Sequence, residues 1–428
     1  MKENELLDEM IKRLGQEVKD ILARLEVGQV SGAALEVLLR QQLWHFGGQC
    51  LGVLLEALDR QVTAGQAVHD HRTRTVVSLF GPVDISRSRC QEGRYPLDES
   101  LGLIGQQGWT AAVQEACSLL SCECGFETVS DLLRRLLGLS LSPPTVQQVA
   151  EQSGRRAEEL LEARRQGAGQ AAKEAQPLGD TLIMAVDGCQ APQRDGWHEV
   201  KVAVIYPQVA RYKKASGRGQ LRQKEYLASL EKVQGFGRQL WQTAQGQGVD
   251  KARRVVGMGD GAPWIWNLVA EHFPQAVEIV DFYHAVEHLW TVGETLWGDR
   301  ERSAATRGWV RHYRRQLRRG RVDLVIAALA RALEHPPAGL SDAAAATVRR
   351  NREYFQENRS RMRYDQYRRW RLPIGTGAVE GSCKFVVQSR FKRPGSRWSA
   401  NGLANMLALK LMRLNHHWEL LWPHLQVA

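Results

Sequence analysis

The chain has 428 residues, of which 43% are hydrophobic, so it can form two or three folded domains and is not disordered as a whole. Lysine and arginine total 58 against 47 acidic residues, and the net charge of +11 favours a polyanion such as nucleic acid as partner, the alternative being a basic protein without one. The first twenty residues are charged throughout and no run approaches about 20 apolar residues, which argues against a secretory leader and a membrane span.

The seven cysteines are an odd number scattered over a long chain. The densest group, Cys117, Cys122 and Cys124, lacks the paired CxxC spacing of structural zinc sites. We therefore predict reduced thiols in a cytoplasmic protein and no structural zinc.

The first segments of the chain predict a helical unit followed by a hairpin. Apolar residues recur at helical spacing over 3–26, and 32–58 is a second apolar-rich helix. We interpret the two as a packing unit that serves as a dimerisation arm. Residues 73–88 are rich in β-formers around a Gly-Pro break, which predicts a β-hairpin.

Two further helices follow, and they allow two interpretations. TVSDLLRRLLG predicts a helix over 128–138, and a second helix over 140–165 begins with Ser142 as N-cap and Pro143 in its first turn. Two helices joined by a short link are typical of a helix-turn-helix that contacts DNA, and also of helical hairpins that touch none. The Gly-, Ala- and Gln-rich stretch 166–180 indicates a domain boundary.

These observations divide the chain into three regions. They are a helical dimerisation region (1–65), a hairpin and helix-turn-helix-like DNA-binding region (66–170), and a catalytic domain (171–428). The N-terminal DNA-binding half is therefore mostly helical.

The catalytic domain alternates strands and helices. Strands are predicted at 181–187, 199–207, 253–260 and 276–284, with the polar stretch 208–218 as a candidate edge strand and helices at 220–245 and 263–273. This order predicts an α/β fold, one mixed sheet covered by helices on both faces.

The segment 285–372 is helical in pattern and strongly basic. Its last part, 349–371, holds nine arginines against three acids, interleaved with tyrosine and tryptophan. Solvated helix faces usually mix the signs of their charges, whereas arginine interleaved with aromatic residues is typical of surfaces that follow a nucleic-acid backbone. We favour a DNA contact here over a neutral solvated face.

Two aspartates end two of the predicted strands, Asp187 in AVDG and Asp260 in GDGAPWIW. Carboxyl ends of parallel neighbours meet at one edge of a sheet, where open α/β sheets bind ligands. Two close carboxylates repel unless a cation lies between them, and Mg²⁺ prefers such oxygen ligands. Gly259 and Gly261 would let the chain turn and leave room for metal and phosphate. Glu380, in GTGAVEGSCK, is the candidate third acid, with an acid that favours the helix start as the alternative.

The motifs AVDG, GDGAPWIWNLV, DFYH and GTGAVEGSCK together resemble the bacterial insertion-sequence transposases of the Kra type. These are relatives of the Mutator-like DDE transposases, whose catalytic core is RNase H-like. The resemblance covers about 181–415, and more loosely GRYPLDESLGL at 93–103. It implies an RNase H-like fold with an all-helical insertion at about 285–372.

The resemblance implies Asp187, Asp260 and Glu380 as catalytic and metal-binding residues for two Mg²⁺ ions, for which Mn²⁺ can substitute. DFYH matches a family signature through Asp281 and His284. His284 would contact the scissile phosphate or orient a water, or else form a structural pair with Asp281, which is a secondary metal-ligand candidate. The basic residues near the DNA backbone would be Lys384, Arg390, Lys392, Arg393 and Arg397.

The resulting hypothesis is a DNA transposase that hydrolyses phosphodiesters at element ends and joins the freed 3′ ends to target DNA. Two alternatives stay open: a structure-specific nuclease on the same sheet, which cuts without joining, and a catalytically idle DNA-binding descendant. The expected partners are double-stranded DNA, namely terminal inverted repeats and target DNA, and further copies of the chain in a homodimer or larger assembly. No membrane partner is expected, and the expected location is the cytoplasm, with the nucleoid.

Overall fold

The structure, a computed structural model, describes residues 3–103, 108–174, 179–208, 211–213, 219–221, 223–337 and 340–425. It separates into two compact units, residues 1–156 with 419–428 and residues 157–418. Among the helices of the described residues, none combines the length and the apolar composition that crossing a membrane requires.

The first unit contains long helices and one β-hairpin. Its elements are α1 (Glu3–Glu26), α2 (Gly32–Val62), β1 (Val68–Ser78), β2 (Gly81–Cys90), α3 (Pro96–Ser100), α4 (Ala111–Ser121), α5 (Phe126–Leu137) and α6 (Pro143–Glu174), of which residues 157–174 group with the second unit. The predicted α1, α2 and hairpin are confirmed. The Ser142 hydroxyl accepts the N–H of Thr145 at 3.3 Å, as expected of an N-cap.

The helix that begins at Pro143 is longer than its sequence pattern predicts. We expected it to end near 165, but α6 continues to Glu174, through most of the stretch expected to be a linker. Alanine, lysine and glutamine favour helix, and they outweigh the two glycines at 167 and 169. Residues 175–178 of the expected boundary lie outside the described residues.

Two apolar clusters stabilise the first unit. One joins α4, α5 and the start of α6, and the other joins α2, the hairpin and α3. Cys117 is fully buried in the first cluster, where burial raises the pKa of its thiol to about 12. In the stretch 93–103, which carries the looser part of the sequence resemblance, the buried Asp98 accepts hydrogen bonds from Arg74 and Arg87. Asp98 thereby connects α3 to the hairpin.

The second unit is built on a mixed five-stranded sheet. Its strands are β3 (Thr181–Gln193), β4 (Gly196–Pro207), β7 (Glu225–Ser229), β8 (Arg254–Gly259) and β9 (Val277–Val280), in the order β7-β4-β3-β8-β9. The strands β3, β4 and β7 pair antiparallel, whereas β8 and β9 run parallel to β3. A separate pair, β5 (Arg211–Lys213) and β6 (Gly219–Leu221), lies outside this sheet.

Three predicted strands differ from those observed. Strand β3 continues to Gln193 and forms a hairpin with β4 instead of ending at Asp187. The third antiparallel strand of the sheet is β7, which comes from a segment predicted as helix. The candidate edge strand 208–218 does not supply it, and residues 209–210 and 214–218 of that stretch lie outside the described residues. Strand β9 ends at Val280, so residues 281–284 begin a helix.

Helices surround the sheet and form the segment between β9 and the last part of the unit. They are α7 (Val233–Gly246), α8 (Pro263–His272), α9 (Phe282–Trp297), α10 (Ala304–Arg318), α11 (Val322–Glu334), α12 (Asp342–Glu357), α13 (Tyr364–Arg369), α14 (Gly377–Ser382), a π-helical segment (Cys383–Gln388), α15 (Ser389–Phe391) and α16 (Ala400–Leu414). The chain continues into α17 (Trp418–Leu421), whose residues from 419 onward group with the first unit. The α/β class and the helical character predicted for 285–372 are confirmed over the described residues.

Candidate functional site

Asp187 and Asp260 occupy adjacent positions at one edge of the sheet. The parallel pairing of β3 with β8 ends at Ala185 opposite Met258, and the same register two residues on brings Asp187 beside Asp260. Neighbouring strands are about 4.8 Å apart, so the two carboxylates face the same small volume. Asp187 lies within β3 rather than at its end, but at the point where pairing with β8 stops.

The Asp187 carboxylate is held in an unfavourable environment. Burial raises the pKa of Asp187 above its usual range; the N–H of Gly188, at 2.7 Å from Oδ1, lowers it, and the negative charge of Asp260 raises it again. The remaining polar contact is the Cys383 thiol, whose Sγ lies 3.5 Å from Oδ2. Because the protein supplies so little positive charge here, a divalent cation would stabilise this carboxylate.

The turn after β8 is more crowded than its glycines suggest. The backbone at Gly261 has φ +113°, a conformation that favours glycine. A side chain there would also meet the Tyr354 ring, 2.5 Å from the position of a Cβ, and one at Gly259 would meet Ile265. The space that we expected to receive metal and phosphate at these glycines is therefore taken up by Tyr354 and Ile265. Asp260 Oδ1 accepts the N–H of Ala262 at 2.8 Å.

Helix α9 adds two histidines beside the aspartates. His284 is close enough that its positively charged form lowers the pKa of Asp187. One turn later, His288 stacks on the Tyr354 ring at 3.7 Å between centroids, and its Nδ1 lies 2.7 Å from Asn351 Oδ1. Burial lowers the pKa of His288 and so favours its neutral form. The Tyr354 hydroxyl donates to the backbone oxygen of Asp260 at 2.8 Å, which joins α12 to the turn.

His288, Asn351 and Tyr354 were not identified from the sequence. The spacing of His284 and His288, four residues apart on one helix, is the signal that could have found His288. Asn351 and Tyr354 lie within the basic stretch 349–371, where their helical spacing gives no sign that they point inward.

Asp281 has a structural position. One carboxylate oxygen accepts the backbone N–H groups of Tyr283 and His284 and caps α9, while the other accepts the N–H and the hydroxyl of Thr376. The side chain is buried, and these four donors occupy both of its oxygens. Asp281 thus holds α9 and the segment before α14 together, which leaves little capacity for a metal ion.

Glu380 lies apart from the two aspartates. Its side chain is 67% exposed, and its carboxylate pairs with Lys384 Nζ at 2.8 Å. The neighbours that face the sheet are Val379 and Cys383, both buried. Over the ranges that the structure describes, no cluster of three or more histidine, cysteine, aspartate or glutamate side chains is arranged to hold a metal. The structure thus brings Asp187 and Asp260 together without Glu380.

The Asp187–Asp260 pair on its own suits a hard divalent cation. Both side chains offer carboxylate oxygens, and burial, together with the charge of Asp260, raises the pKa of Asp187. Mg²⁺ is commonly held by one or two carboxylates, with water and substrate phosphate completing its shell. Beside this pair, a hydrogen bond with Cys189 and burial raise the pKa of the Cys383 thiol.

The five basic residues predicted near DNA have different environments. Lys392, Arg393 and Arg397 are exposed, and Lys392 lies 5.3 Å from the centroid of the exposed Trp197 ring. Lys384 pairs with Glu380. Arg390 is only 2% exposed and its guanidinium packs over Trp398, so this side chain does not reach a DNA backbone in the observed conformation.

Comparison with known proteins gives one family and one curated relative. The model of a family described as "Uncharacterised protein family (UPF0236)" matches residues 30–419. A Streptococcus gallolyticus protein, named as the UPF0236 protein in the vanSb 3′ region, is 32% identical over 110 residues. That alignment covers 24% of this chain and 24% of the relative. The family match includes both aspartates and Glu380.

Proposed function

The chain belongs to the UPF0236 family, and for it we propose a function in DNA transposition: metal-dependent cleavage at element ends and strand transfer into target DNA on an RNase H-like core. The observation that carries the proposal is the pair of carboxylates, Asp187 and Asp260, at adjacent positions where β3 and β8 part. The mixed sheet that bears them, three antiparallel strands continued by two parallel ones, supports the RNase H-like assignment.

The proposed chemistry needs little from the protein beyond positioning and charge. Two bound Mg²⁺ ions, or Mn²⁺, would supply activation of the attacking oxygen and stabilisation of the leaving one. Asp187 and Asp260 would bind these ions and thereby fix the scissile phosphate at the edge of the sheet. His284, beside Asp187, would donate a hydrogen bond to that phosphate or orient a water, and His288 with Tyr354 would keep the turn at Asp260 in place.

Charge and exposure support DNA as the substrate. The chain carries a net charge of +11, and Lys392, Arg393 and Arg397 are exposed on the segment that follows α15. Such side chains bind phosphates without selecting a sequence, so recognition of the terminal repeats is assigned to the region 120–165. A protein that acts in this way on element ends within chromosomal DNA would reside with the nucleoid.

The test is strand transfer by the purified full-length chain. Linear DNA with pre-cleaved 3′ ends, carrying the sequences that flank its gene, is incubated with target plasmid and Mg²⁺. We expect joined products, and a loss of at least about 10³-fold in Asp187→Ala or Asp260→Ala, because each removes an ion ligand. Asp250→Ala, at an exposed acid elsewhere in the unit, is the matched control and should retain activity.

The outcome also separates the alternatives. Cleavage of uncut ends without joining would support the nuclease hypothesis and contradict the transposase hypothesis. Binding of the flanking DNA with neither reaction, and equal behaviour of the Asp187→Ala variant, would indicate an idle DNA-binding protein.

A further inference from the structure

One exposed side of α10 carries a row of arginines. Arg311, Arg314, Arg315 and Arg318 recur at intervals of three and four residues, which places them along one side of the helix. All four are exposed, and α10 contains no acidic residue. Among the residues that the structure describes, no carboxylate pairs with any of the four. We call this row the α10 arginine stripe.

The α10 arginine stripe lacks the charge compensation found at other exposed arginines of the chain. Arg134 and Arg135 both pair with Asp131 on their own helix, and Arg369 pairs with Asp365 one turn away. Like charges three or four residues apart on a helix repel each other, so the stripe does not serve the stability of α10. An anionic partner would supply the missing compensation.

Packing against α9 fixes the position of α10. The Thr306 hydroxyl donates to the backbone oxygens of Gly293 and Gly298 at 3.2 and 2.8 Å. A Cβ on Gly293 would lie 3.1 Å from the side chain of Thr306 and 3.2 Å from that of Val310, so the two helices are in close contact there. The stripe is therefore carried by a helix that is held firmly against α9.

One end of the stripe lies near the beginning of α9. Gly320, two residues after Arg318, lies against α13. Phe282, the first residue of α9, packs edge-on against Tyr364 of the same α13, with 5.1 Å between ring centroids. The end of α10 and the start of α9 thus meet at α13, and the two helices run antiparallel. His284, which is close to Asp187, follows Phe282 by two residues.

The stripe fits the phosphate backbone of duplex DNA. Arg311 and Arg318 are seven residues apart, or about 10 Å along the helix, which equals about three base pairs of a duplex. No apolar side chain larger than alanine lies among these arginines, whereas the centre of a protein interface is apolar. Arginine contacts to phosphate hold DNA without selecting a sequence. The partner that fits is a duplex of arbitrary sequence.

We propose that the α10 arginine stripe binds target DNA and directs it to the edge of the sheet where Asp187 and Asp260 lie. The inference rests on the proposed function, in which target DNA is the substrate that need not be chosen by sequence. The element ends must be recognised by sequence, a task assigned to the region 120–165. A target strand that follows the stripe toward Arg318 reaches the level of His284.

The test replaces three arginines of the stripe, as Arg311→Gln with Arg315→Gln and Arg318→Gln. Binding of a random-sequence duplex is measured by fluorescence anisotropy, and the slope of log affinity against log salt should fall by about 3, since each lost phosphate contact removes about 0.9. With pre-cleaved ends and limiting target plasmid, joining should fall about tenfold or more and should return as plasmid concentration is raised. Cleavage of uncut ends should proceed at the wild-type rate.

A matched control removes three exposed positive charges elsewhere in the same unit, as Arg164→Gln with Lys232→Gln and Arg238→Gln. It should keep the salt slope and the joining rate of the wild type. If the triple stripe variant does not fold, Arg311→Gln with Arg315→Gln alone should lower the salt slope by about 2.

Three results would overturn the proposal. An unchanged salt slope would show that the stripe does not bind DNA. A loss of end cleavage equal to the loss of joining would show that the stripe holds the element ends instead of the target. Loss of self-assembly in gel filtration, with DNA binding unchanged, would show that the stripe binds a second copy of the chain.

Failure of this inference can be told apart from failure of the proposed function. If the wild type joins DNA and the triple stripe variant joins it equally well at every plasmid concentration, the proposed function stands and the stripe is not the target site. If the wild type neither cleaves nor joins, the proposed function is wrong and the assignment of target DNA to the stripe falls with it.

Discussion

Asp187 destabilises the metal-free protein. Burial and the neighbouring Asp260 raise the pKa of its carboxyl, so the folded state holds the proton more tightly than the unfolded chain does. Stability from this group is therefore greatest at low pH, where the carboxyl is protonated, and is lost as pH rises from about 4 through the raised folded-state pKa. A side chain that costs stability at neutral pH is typical of a site selected for binding.

Asp187→Asn should accordingly stabilise the protein at pH 7.5 in EDTA. We expect a rise in Tm of about 2–4 °C, which corresponds to about 1 kcal/mol in a unit of this size. The difference should disappear near pH 4, and addition of Mn²⁺ should raise the Tm of the wild type but not that of the variant. Differential scanning calorimetry over this pH range makes the measurement.

Asp250→Asn, at an exposed acid of the same unit, is the control for a change in net charge alone and should not shift Tm. An Asp187→Asn variant that melts below the wild type at pH 7.5 in EDTA would contradict the assignment of an unfavourable carboxylate.

At the scale of elements, the strands with long apolar runs were predictable, whereas the short strand β7 and the end of β9 were not. The apolar runs at 181–187 and 199–207 bury almost every residue, and the run at 253–260 buries residues 256–259, so their pattern is strong. The segment 225–229 was assigned to a helix because leucine and glutamate favour helix, and its pairing with β4 overrides that preference. Likewise, Asp281 ends β9 early because its carboxylate caps α9.

The candidate site shows the same limit. Asp187 and Asp260 could be predicted from the ends of the apolar runs, which are a local signal in the sequence. The direction of the Glu380 side chain depends on the π-helical segment that follows it, and that segment leaves no mark in the composition. Tyr354 and Asn351 come from a helix whose sequence is dominated by arginine, and only tertiary packing turns them toward the turn at Asp260.

The basic segment predicted to contact DNA lines a cleft at the opposite end of the parallel strands. Arg361, Arg363 and Trp370 border a cavity of about 400 Å³ with residues at the start of β9, and Trp370 is 39% exposed beside Arg254. Because an aromatic face stacks on unpaired bases and arginine follows phosphates, we expect this cleft to hold a DNA strand that extends away from the proposed metal site.

Arg363→Ala should weaken DNA binding in fluorescence anisotropy and reduce the slope of log affinity against log salt by about one. Trp370→Ala should weaken the binding of single-stranded DNA by about 1–3 kcal/mol and should weaken the binding of duplex DNA less. Arg359→Ala removes an exposed arginine already paired with Asp323 at 2.6 Å, and it is the matched control. If the salt slope of Arg363→Ala equals the slopes of Arg359→Ala and the wild type, DNA does not bind in this cleft.

At the scale of the molecule, the N-terminal helices carry several exposed apolar side chains. Large apolar side chains are exposed along α1 and α2, namely Ile11, Leu22, Val37, Leu39, Leu43 and Leu54. The dimerisation arm expected from the sequence stays a prediction, and these side chains are where we expect a second copy of the chain to bind.

Leu39→Glu combined with Leu43→Glu, two residues on one face of α2, should convert a dimer to a monomer in light scattering coupled to gel filtration. The physical reason is the cost of burying two charges in an apolar interface. Leu324→Glu, at a comparably exposed leucine of α11, is the control and should leave the assembly unchanged. A wild-type chain that is monomeric at micromolar concentration would contradict the arm.

The two oxygens of Asp281 hold the start of the histidine-bearing helix and the chain just before Glu380 at the same time. Loss of this acid would displace both stretches of chain together, and an inactive variant would look like the loss of a metal ligand. Inactivity on its own is therefore a poor guide to which acids of this protein carry out chemistry. An acid can be indispensable here simply because its hydrogen bonds hold two distant stretches of chain in their relative positions.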